Sequence, residues 1–299
     1  MLFRSAIRGV GSSALDAGIE QTVSVNIDGL QVSRGRVATQ GFFDIQQVEV
    51  LKGPQALFFG KNSPGGVISV TSAGPTDTLE ASVRGGYEFK ADERFLEGTV
   101  SGPITDTLRA RLAVKGTEMS GYIKNVAGPL FNPDDPAFPR PGAANGRTPH
   151  SKELLGRLTL EWKPVDNFDA TLKVFGSTLE DSGETSGVEN KCGTVNGTFL
   201  LNAGTMLDDP YGDCKLDGRR SSTALPEGRA ANYPGSGDGS PFTKYKSVLT
   251  SLTMNYAFND VNFTSVTGFY DYSNRSFDNF DYTAGGLVWG YNVDKTQTI

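Results

Sequence analysis

The sequence has few of the residues that build metal and redox sites. Its 299 residues include one histidine, His150, and two cysteines, Cys192 and Cys214. A zinc or haem site built on histidine would need further ligands. We therefore expect no cofactor and no metal, and the Pro/Gly/Asn-rich surroundings of His150 predict a solvated loop side chain.

Long apolar runs and excess positive charge are also missing. No apolar run reaches about 18 residues, which excludes a transmembrane helix but not a membrane β-barrel, whose strands are half polar. The formal net charge is −6, from 28 basic and 34 acidic residues. Non-specific nucleic-acid binding is therefore not expected, since it depends on positive charge.

Catalytic motifs are incomplete. Gly60-Lys61-Asn62 has the look of a phosphate loop, but Gln55 stands where that motif needs glycine, and Asn62 is neither Ser nor Thr. No pair of carboxylates stands out for acid–base chemistry. Asp208-Asp209 could bind calcium, but solvated loop charge is the simpler interpretation. We expect no enzyme.

The stretch from Asp44 to Pro75 organises the first part of the chain. An apolar strand pattern at its start is stopped by Lys52-Gly53-Pro54, since proline donates no hydrogen bond. Residues 55–59 suit about one helical turn. A glycine-rich breaker at 62–66 and a second β pattern from Val67 to Val70 follow.

These motifs resemble those of a known family. In VSVNIDGL at 23–30, Val23, Val25 and Ile27 alternate with polar residues, as in a half-buried strand, and Asp28-Gly29 predicts a hairpin turn. Together with this run and IRGV at 7–10, the stretch resembles the plug domain of TonB-dependent outer-membrane receptors. The resemblance implies a partial plug, a small α+β domain at residues 1–75. Part of an antiparallel transmembrane β-barrel would follow at 76–299. Complete barrels of this kind close with about 22 strands.

The residues after Pro75 follow a period of two, as expected for barrel strands. Six regular strands alternate apolar and polar residues over about 10 positions each, the length of a tilted membrane-spanning strand. A seventh, from Val261 to Tyr272, is less regular, and 294–299 would open the next. The alternations start at Leu79, Leu96, Leu108, Leu154, Phe168 and Val248.

Charge and loop lengths favour a barrel over a soluble sandwich. One face of the six strands carries no charge, and connections alternate between short turns and long loops, as in outer-membrane barrels. Trp162, Tyr256 and Phe258 lie next to short turns, where an aromatic girdle belongs, and Tyr87 and Phe89 lie at the opposite rim.

The start of the chain predicts a fragment. Residues 2–11 (LFRSAIRGVG) lack the regions of a secretory signal. The resemblance implies a signal, a TonB box and the first part of the plug before them, and further strands after Ile299.

The resemblance implies uptake of a scarce nutrient through the outer membrane of a Gram-negative bacterium. TonB, with the ExbB–ExbD energy complex, would be the partner, and a ferric siderophore the default substrate. Vitamin B12, a saccharide, or a non-transporting surface role are alternatives. Arg34, Arg36, Phe42 and Phe43 are candidate substrate contacts, because cations and aromatic rings suit an anionic or catecholate ligand.

The two cysteines fall in one long loop, which the barrel reading places outside the cell. An even number of cysteines in an exported loop favours a Cys192–Cys214 disulfide. Such a bond would constrain the loop by about 3 kcal/mol in the chain-entropy account.

Overall fold

A computed structural model describes most of the chain and shows two β-sheets in contact. The described residues are 6–7, 10–11, 22–32, 43–60, 63–131, 139–183, 189, 198–200, 206–212, 214–280, 284–286 and 288–298. The fold is mainly β, as predicted, with a small mixed sheet followed by a large antiparallel sheet.

The small sheet has four strands in the order β4-β3-β6-β5, and β3 and β6 run parallel. A separate two-stranded pair, β1 with β2, precedes it. The one-turn helix α1 lies between β5 and β6, where the sequence predicted a single helical turn. The elements are β1 (Ala6–Ile7), β2 (Val10–Gly11), β3 (Val23–Ile27), β4 (Leu30–Val32), β5 (Ile45–Lys52), α1 (Ala56–Phe59) and β6 (Gly66–Ser72).

The turn between β3 and β4 is the predicted Asp28-Gly29 hairpin. Asp28 has a φ of 50° and Gly29 a φ of 84°, the paired positive values of a type I′ turn. The half-buried alternation expected for β3 was wrong, because Ser24 and Asn26 are buried as well. Strand β3 is central in its sheet, and these two side chains accept hydrogen bonds from Gln31 and from the Gly29 amide.

The large sheet has eight strands, all antiparallel, in the order β19-β18-β17-β13-β12-β9-β8-β7. Each strand pairs with the neighbour that comes before or after it among these eight, so the sheet is a continuous meander. Its strands are β7 (Glu80–Glu88), β8 (Glu93–Pro103), β9 (Leu108–Met119), β12 (His150–Val165), β13 (Phe168–Ser182), β17 (Phe242–Phe258), β18 (Val261–Asn279) and β19 (Trp289–Thr298).

Several strands are longer than the expected 10 residues or so. Strand β18 has 19 residues and β17 has 17, because the two stay paired from Val261 and Phe258 to Phe277 and Phe242. The eighth strand begins at Trp289, five residues before the expected position. His150 begins β12 instead of lying in a loop. Polar residues beyond the apolar stretch thus continue the backbone ladder, which period-two hydrophobicity does not reveal.

The two faces of the large sheet differ as predicted. On β9, Leu112 is 45% exposed whereas its neighbour Ala113 is fully buried. We call the face with Leu112 the outer face and the face with Ala113, which lies towards the small sheet, the inner face. One buried cluster joins Val25 and Val70 of the small sheet, and Phe43 just before β5, to inner-face residues such as Leu155 and Phe175.

The long connections carry short elements of their own. Strands β10 and β16 pair in parallel, and β11 pairs with β10, next to one end of the large sheet. These elements are β10 (Ile123–Asn125), β11 (Arg147–Thr148), β14 (Thr198–Leu200), β15 (Met206–Asp208), β16 (Arg219–Arg220) and helix α2 (Glu227–Ala230). Among the described residues, no helix has the length and apolar character needed to cross a membrane.

Candidate functional site

The contact between the small sheet and the inner face is built on two aspartates. Asp28 lies at the tip of the β3–β4 hairpin, and its side chain accepts hydrogen bonds from the amide and hydroxyl of Ser72. Lys173 Nζ of β13 lies 2.6 Å from Asp28 Oδ1, and the Asp28 side chain is 7% exposed. Three donors therefore converge on a nearly buried carboxylate, so its charge is compensated.

The second aspartate, Asp44, precedes β5 and pairs with Arg111 of β9. Arg111 donates from Nη2 to Oδ1 at 2.6 Å and from Nε to Oδ2 at 3.0 Å, the two-pronged geometry that suits guanidinium and carboxylate. The Asp44 side chain is 4% exposed. Residue 44 has a φ of 51°, a conformation that aspartate tolerates better than most residues.

Arg157 of β12 lies between the two sheets and is 2% exposed. Its Nη1 donates to the carbonyl oxygens of Phe43 and Asp44. The guanidinium carbon lies 5.7 Å from the centre of the Phe43 ring and 5.0 Å from that of Phe175. The buried charge is thus held by backbone oxygens and by two aromatic faces.

Small inner-face residues let the hairpin of the small sheet approach the large sheet. Ser251 Oγ donates to the Asp28 carbonyl at 3.0 Å. A Cβ on Gly268 of β18 would overlap the side chain of Leu30, and one on Gly29 would come within 3.2 Å of Val266. Close packing and ion pairs thus fix the hairpin at one place on the inner face.

The long connections are held together by Asp209, which is 2% exposed. Its carboxylate accepts hydrogen bonds from Ser221 and from the amides of Tyr211, Gly212 and Ala284. The expectation of solvated charge was wrong for Asp209, because three connecting segments fold around it. Within the described part of the chain, no cluster of acidic, histidine or cysteine side chains could hold a metal ion.

An aromatic cluster covers the end of β17, β18 and β19 that lies next to the long connections. Phe277 is fully buried, and its ring lies 4.9 Å from Trp289 and 5.0 Å from Tyr233. Tyr291 adds a fourth ring, 6.0 Å from Tyr233. Trp289, Tyr233 and Tyr291 are only partly buried, so flat apolar surface is available beside the connecting segments.

The turn between β7 and β8 is closed by Asp92. Tyr87 Oη donates to its carboxylate at 2.6 Å and Ser120 Oγ at 2.8 Å. These two hydrogen bonds lower the pKa of Asp92, with the bond from Tyr87 the larger cause. The stabilisation is therefore present at neutral pH and is lost as the pH falls through the lowered pKa.

The predicted substrate contacts are mostly outside the described residues. Arg34, Arg36 and Phe42 fall there, and so does Cys192, so the role of the first three and the Cys192–Cys214 disulfide stay predictions. Phe43 is described and is 3% exposed, packed under Arg157. Its role as a substrate contact also stays a prediction.

Sequence reasoning missed the ionic contact between the sheets. Asp28 was interpreted only as a turn residue, and Arg111 and Lys173 only as polar-face residues. The available signal was the spacing of single cations on the charge-bearing face, at Arg111, Arg157 and Lys173 of three successive strands. That pattern marks positions that need a buried anion or carbonyl partner.

Comparison with known proteins identifies the first part of the chain. Residues 3–67 match the family model described as the TonB-dependent receptor plug domain. The pesticin receptor of Yersinia pestis is 36% identical over 110 residues, which cover 36% of this chain and 16% of that protein. The ferric enterobactin receptor PirA of Pseudomonas aeruginosa is 27% identical over 177 residues, 56% of this chain and 22% of PirA.

A third relative has another substrate in its name. The vitamin B12 transporter BtuB of Vibrio vulnificus is 25% identical over 175 residues, which are 57% of this chain and 26% of BtuB. The aligned parts thus span 16–26% of the length of these relatives. All three relatives are named as receptors or transporters, not as enzymes.

Solved structures show the same fold. The ferric yersiniabactin uptake receptor FyuA of Yersinia pestis matches with a TM-score of 0.56 at 17% identity, over 86% of this chain and 33% of FyuA. The open form of the ferric-catecholate import receptor Fiu of E. coli K12 matches with a TM-score of 0.53 at 16% identity, over 92% of this chain and 37% of Fiu. Residues 3–67 thus match the TonB-dependent receptor plug domain, and the chain has the fold of part of a TonB-dependent receptor.

Proposed function

We propose that the chain is part of a TonB-dependent receptor that takes up a ferric siderophore through the outer membrane of a Gram-negative bacterium. The observation that carries the proposal is the docking of a plug-family sheet on the polar inner face of a sheet whose outer face is apolar and exposed. In such an arrangement the apolar face suits lipid, and the plug blocks the path along the polar face.

The siderophore is proposed as the substrate from the names of the relatives and from the cationic and aromatic residues that follow β4 in the sequence. Among the relatives, the names of PirA and of the two solved receptors specify a ferric chelate. Arg34 and Arg36 follow β4 closely in sequence, and Phe42 and Phe43 precede Asp44. We propose these four residues as substrate contacts, because an anionic chelate would gain charge-assisted hydrogen bonds from the arginines.

The partners and the domain boundaries are part of the same proposal. TonB, energised by ExbB and ExbD, would release or rearrange the plug of the whole receptor. The boundary near residue 75 is supported by the segment without helix or strand between Ser72, the end of β6, and Glu80, the start of β7. Residues 1–75 would then be plug and 76–299 barrel.

The experiment is a titration of ferric siderophores into the purified receptor. A charge-assisted hydrogen bond contributes about 1.5–3 kcal/mol, so Arg34→Ala or Arg36→Ala should weaken binding by about tenfold or more. Lys163→Ala is the matched control. Lys163 is exposed and lies at the end of β12 next to the short turn to β13, away from the long connections. Equal affinities of wild type and both arginine variants would remove these residues from the site.

Vitamin B12 is the second candidate substrate, favoured by the BtuB relative. It is tested in the same titration with cyanocobalamin. Tight binding of cyanocobalamin with no binding of any ferric chelate would replace the siderophore as the proposed substrate.

A further inference from the structure

A row of charged residues crosses six neighbouring strands of the large sheet on its outer face. Each residue in the row is the direct cross-strand partner of the next. The row follows immediately after the apolar positions of most strands, at the end where the long connections leave. Its members are Arg94, Glu118, Lys152, Glu180, Lys244 and Arg275.

In the first half of this row, both cations are paired with a carboxylate. Arg94 lies 2.7 Å from Glu118, and Lys152 lies 3.2 Å from the same carboxylate. The side chains of Arg94 and Lys152 are 70% and 61% exposed, so these are surface ion pairs across neighbouring strands. Two cations share one acidic partner, so no cation in this half of the row is without an ion pair.

The second half carries excess positive charge. Lys244 of β17 stands directly opposite Arg275 of β18, and Lys246 and Lys295 stand on either side of Ser273. All four cations are exposed. We call these four residues, Lys244, Lys246, Arg275 and Lys295, the outer cation patch.

Few carboxylates balance the outer cation patch. Glu180 is the cross-strand partner of Lys244, and Asp271 lies one outer-face position beyond Ser273 on β18. Among the described residues, neither carboxylate forms an ion pair with the patch. Lys244 Nζ lies 5.8 Å from the centre of the Phe242 ring. Like charges directly opposite on a sheet destabilise it, so the patch suits an external anion.

The position of the patch along the strands indicates which anion can reach it. Trp162, beside the short β12–β13 turn, and Lys152, in the charged row, are ten positions apart on one strand. At about 3.3 Å per residue and a tilt of about 40°, this distance spans roughly 25 Å along the membrane normal, the height of a barrel's apolar band. The row therefore lies at the level where lipid headgroups begin.

We propose that the outer cation patch binds the phosphate groups of lipid headgroups in the outer leaflet. The inference rests on the proposed outer-membrane location. The apolar side chains of β17 and β18 would contact the acyl chains of the same lipid, and the four cations its phosphates. A lipid held through both its acyl chains and its phosphates would also reduce the repulsion between Lys244 and Arg275, which lie directly opposite each other.

Native mass spectrometry of the chain in a neutral detergent tests this proposal. The probes are phosphatidic acid and phosphatidylcholine with identical acyl chains. The wild type should retain phosphatidic acid about tenfold better, and the preference should fall with added salt, which screens exposed charges. No preference in the wild type would overturn the proposal.

The decisive variant is K244Q/K246Q/R275Q/K295Q, which removes the patch. The matched control is K52Q/K90Q/K124Q/K163Q, which removes four exposed lysines elsewhere. The patch variant should lose the preference for phosphatidic acid and the control should keep it; equal preference in both would overturn the proposal. Should the patch variant fail to fold, the single variant Lys246→Glu, at an exposed position, decides in the same way.

Two further measurements separate the sources of the signal. Inorganic phosphate at the lipid's concentration should not displace phosphatidic acid; full displacement would mean that the patch binds free phosphate, against the proposal. The patch variant of the receptor should bind ferric chelates as the wild type does. A receptor that binds no chelate but keeps the patch-dependent preference for phosphatidic acid would overturn the proposed substrate and would still support lipid binding by the patch.

Discussion

Arg111 and Asp44 show at the residue scale how the plug is held. The side chain of Asp44 is 4% exposed and that of Arg111 is 16% exposed, and each compensates the charge of the other through a two-pronged hydrogen bond. Removing one partner of a buried pair leaves an uncompensated charge, which typically costs about 3–5 kcal/mol. The pair therefore fixes the plug on the inner face, whatever its net contribution to stability.

We expect Arg111→Met to lower the free energy of unfolding by about 3 kcal/mol, because Asp44 would stay buried without its partner. Arg84→Met is the control, because the Arg84 side chain is 69% exposed and its pair with Glu97 should contribute at most about 1 kcal/mol. Urea unfolding in detergent measures both. Equal losses in the two variants would contradict a special role of the buried pair.

The double variant Arg111→Met with Asp44→Asn tests the same contact independently. If the cost of Arg111→Met comes from the stranded carboxylate, neutralising Asp44 should recover much of it. A double-mutant cycle should then give a coupling of about 1–3 kcal/mol, as for residues in direct contact. Additive losses would show that the two side chains act separately.

Strand β18 shows at the element scale how a small residue permits docking. Gly268 lies where any Cβ would overlap Leu30 of the plug hairpin. A Cβ added to Gly156 of β12 would have no neighbouring atom within 4 Å. The two glycines look alike in sequence, but only one of them is required by a neighbouring element.

We expect Gly268→Ala to destabilise the chain by about 1–3 kcal/mol, the usual cost of overpacking. Gly156→Ala should change stability little. The melting temperatures of the two variants in detergent, compared with the wild type, measure the effect. A loss in Gly156→Ala as large as in Gly268→Ala would contradict the docking of Leu30 against β18.

The outer face of β9 allows a second test at the element scale. An arginine at the membrane midplane costs about 2–4 kcal/mol, so Leu112→Arg should impair assembly of the receptor in the outer membrane. Lys115→Arg, a conservative change on the inner face, and Leu112→Met should assemble normally. Heat-modifiable gel mobility reports assembly, and identical mobility of all three variants would argue against lipid contact at Leu112.

The whole molecule exposes an apolar surface and two strand edges, both of which are unfavourable in water. Large apolar side chains cover the outer face, and within the described residues β7 and β19 each pair on one side only. Both an apolar surface of this extent and an open strand edge promote association. The molecule is therefore expected to depend on a membrane-like surrounding and on partners for its two edges.

We expect the 299-residue chain to aggregate in plain buffer and to become dispersed in detergent. Size-exclusion chromatography with light scattering, with and without detergent, measures this. The control is a variant with the outer-face residues Val83, Leu96, Leu112 and Leu158 replaced by threonine, which should aggregate less. A monodisperse wild-type chain in plain buffer, with cooperative melting, would contradict the expectation.

Local patterns in the sequence predicted much of the fold. The Asp28-Gly29 turn, the one-turn helix and the two faces of the large sheet follow from turn chemistry and period-two alternation, which act over a few residues. The outer ends of β17 and β18 were not predicted, because their polar residues join the ladder only through cross-strand pairing. The buried state of Asp209 depended on segments far apart in the chain.

The sequence by itself determined the resemblance of residues 1–75 to the plug domain, the mainly β fold and which strand residues share a face. Only the tertiary structure decided that Arg111 pairs with Asp44, that Lys173 pairs with Asp28, and that Arg157 lies between two aromatic rings. Alternation fixes the face on which a side chain lies, but not what the face meets. The partners are 67 and 145 positions apart, and they come together only when the plug docks on the large sheet.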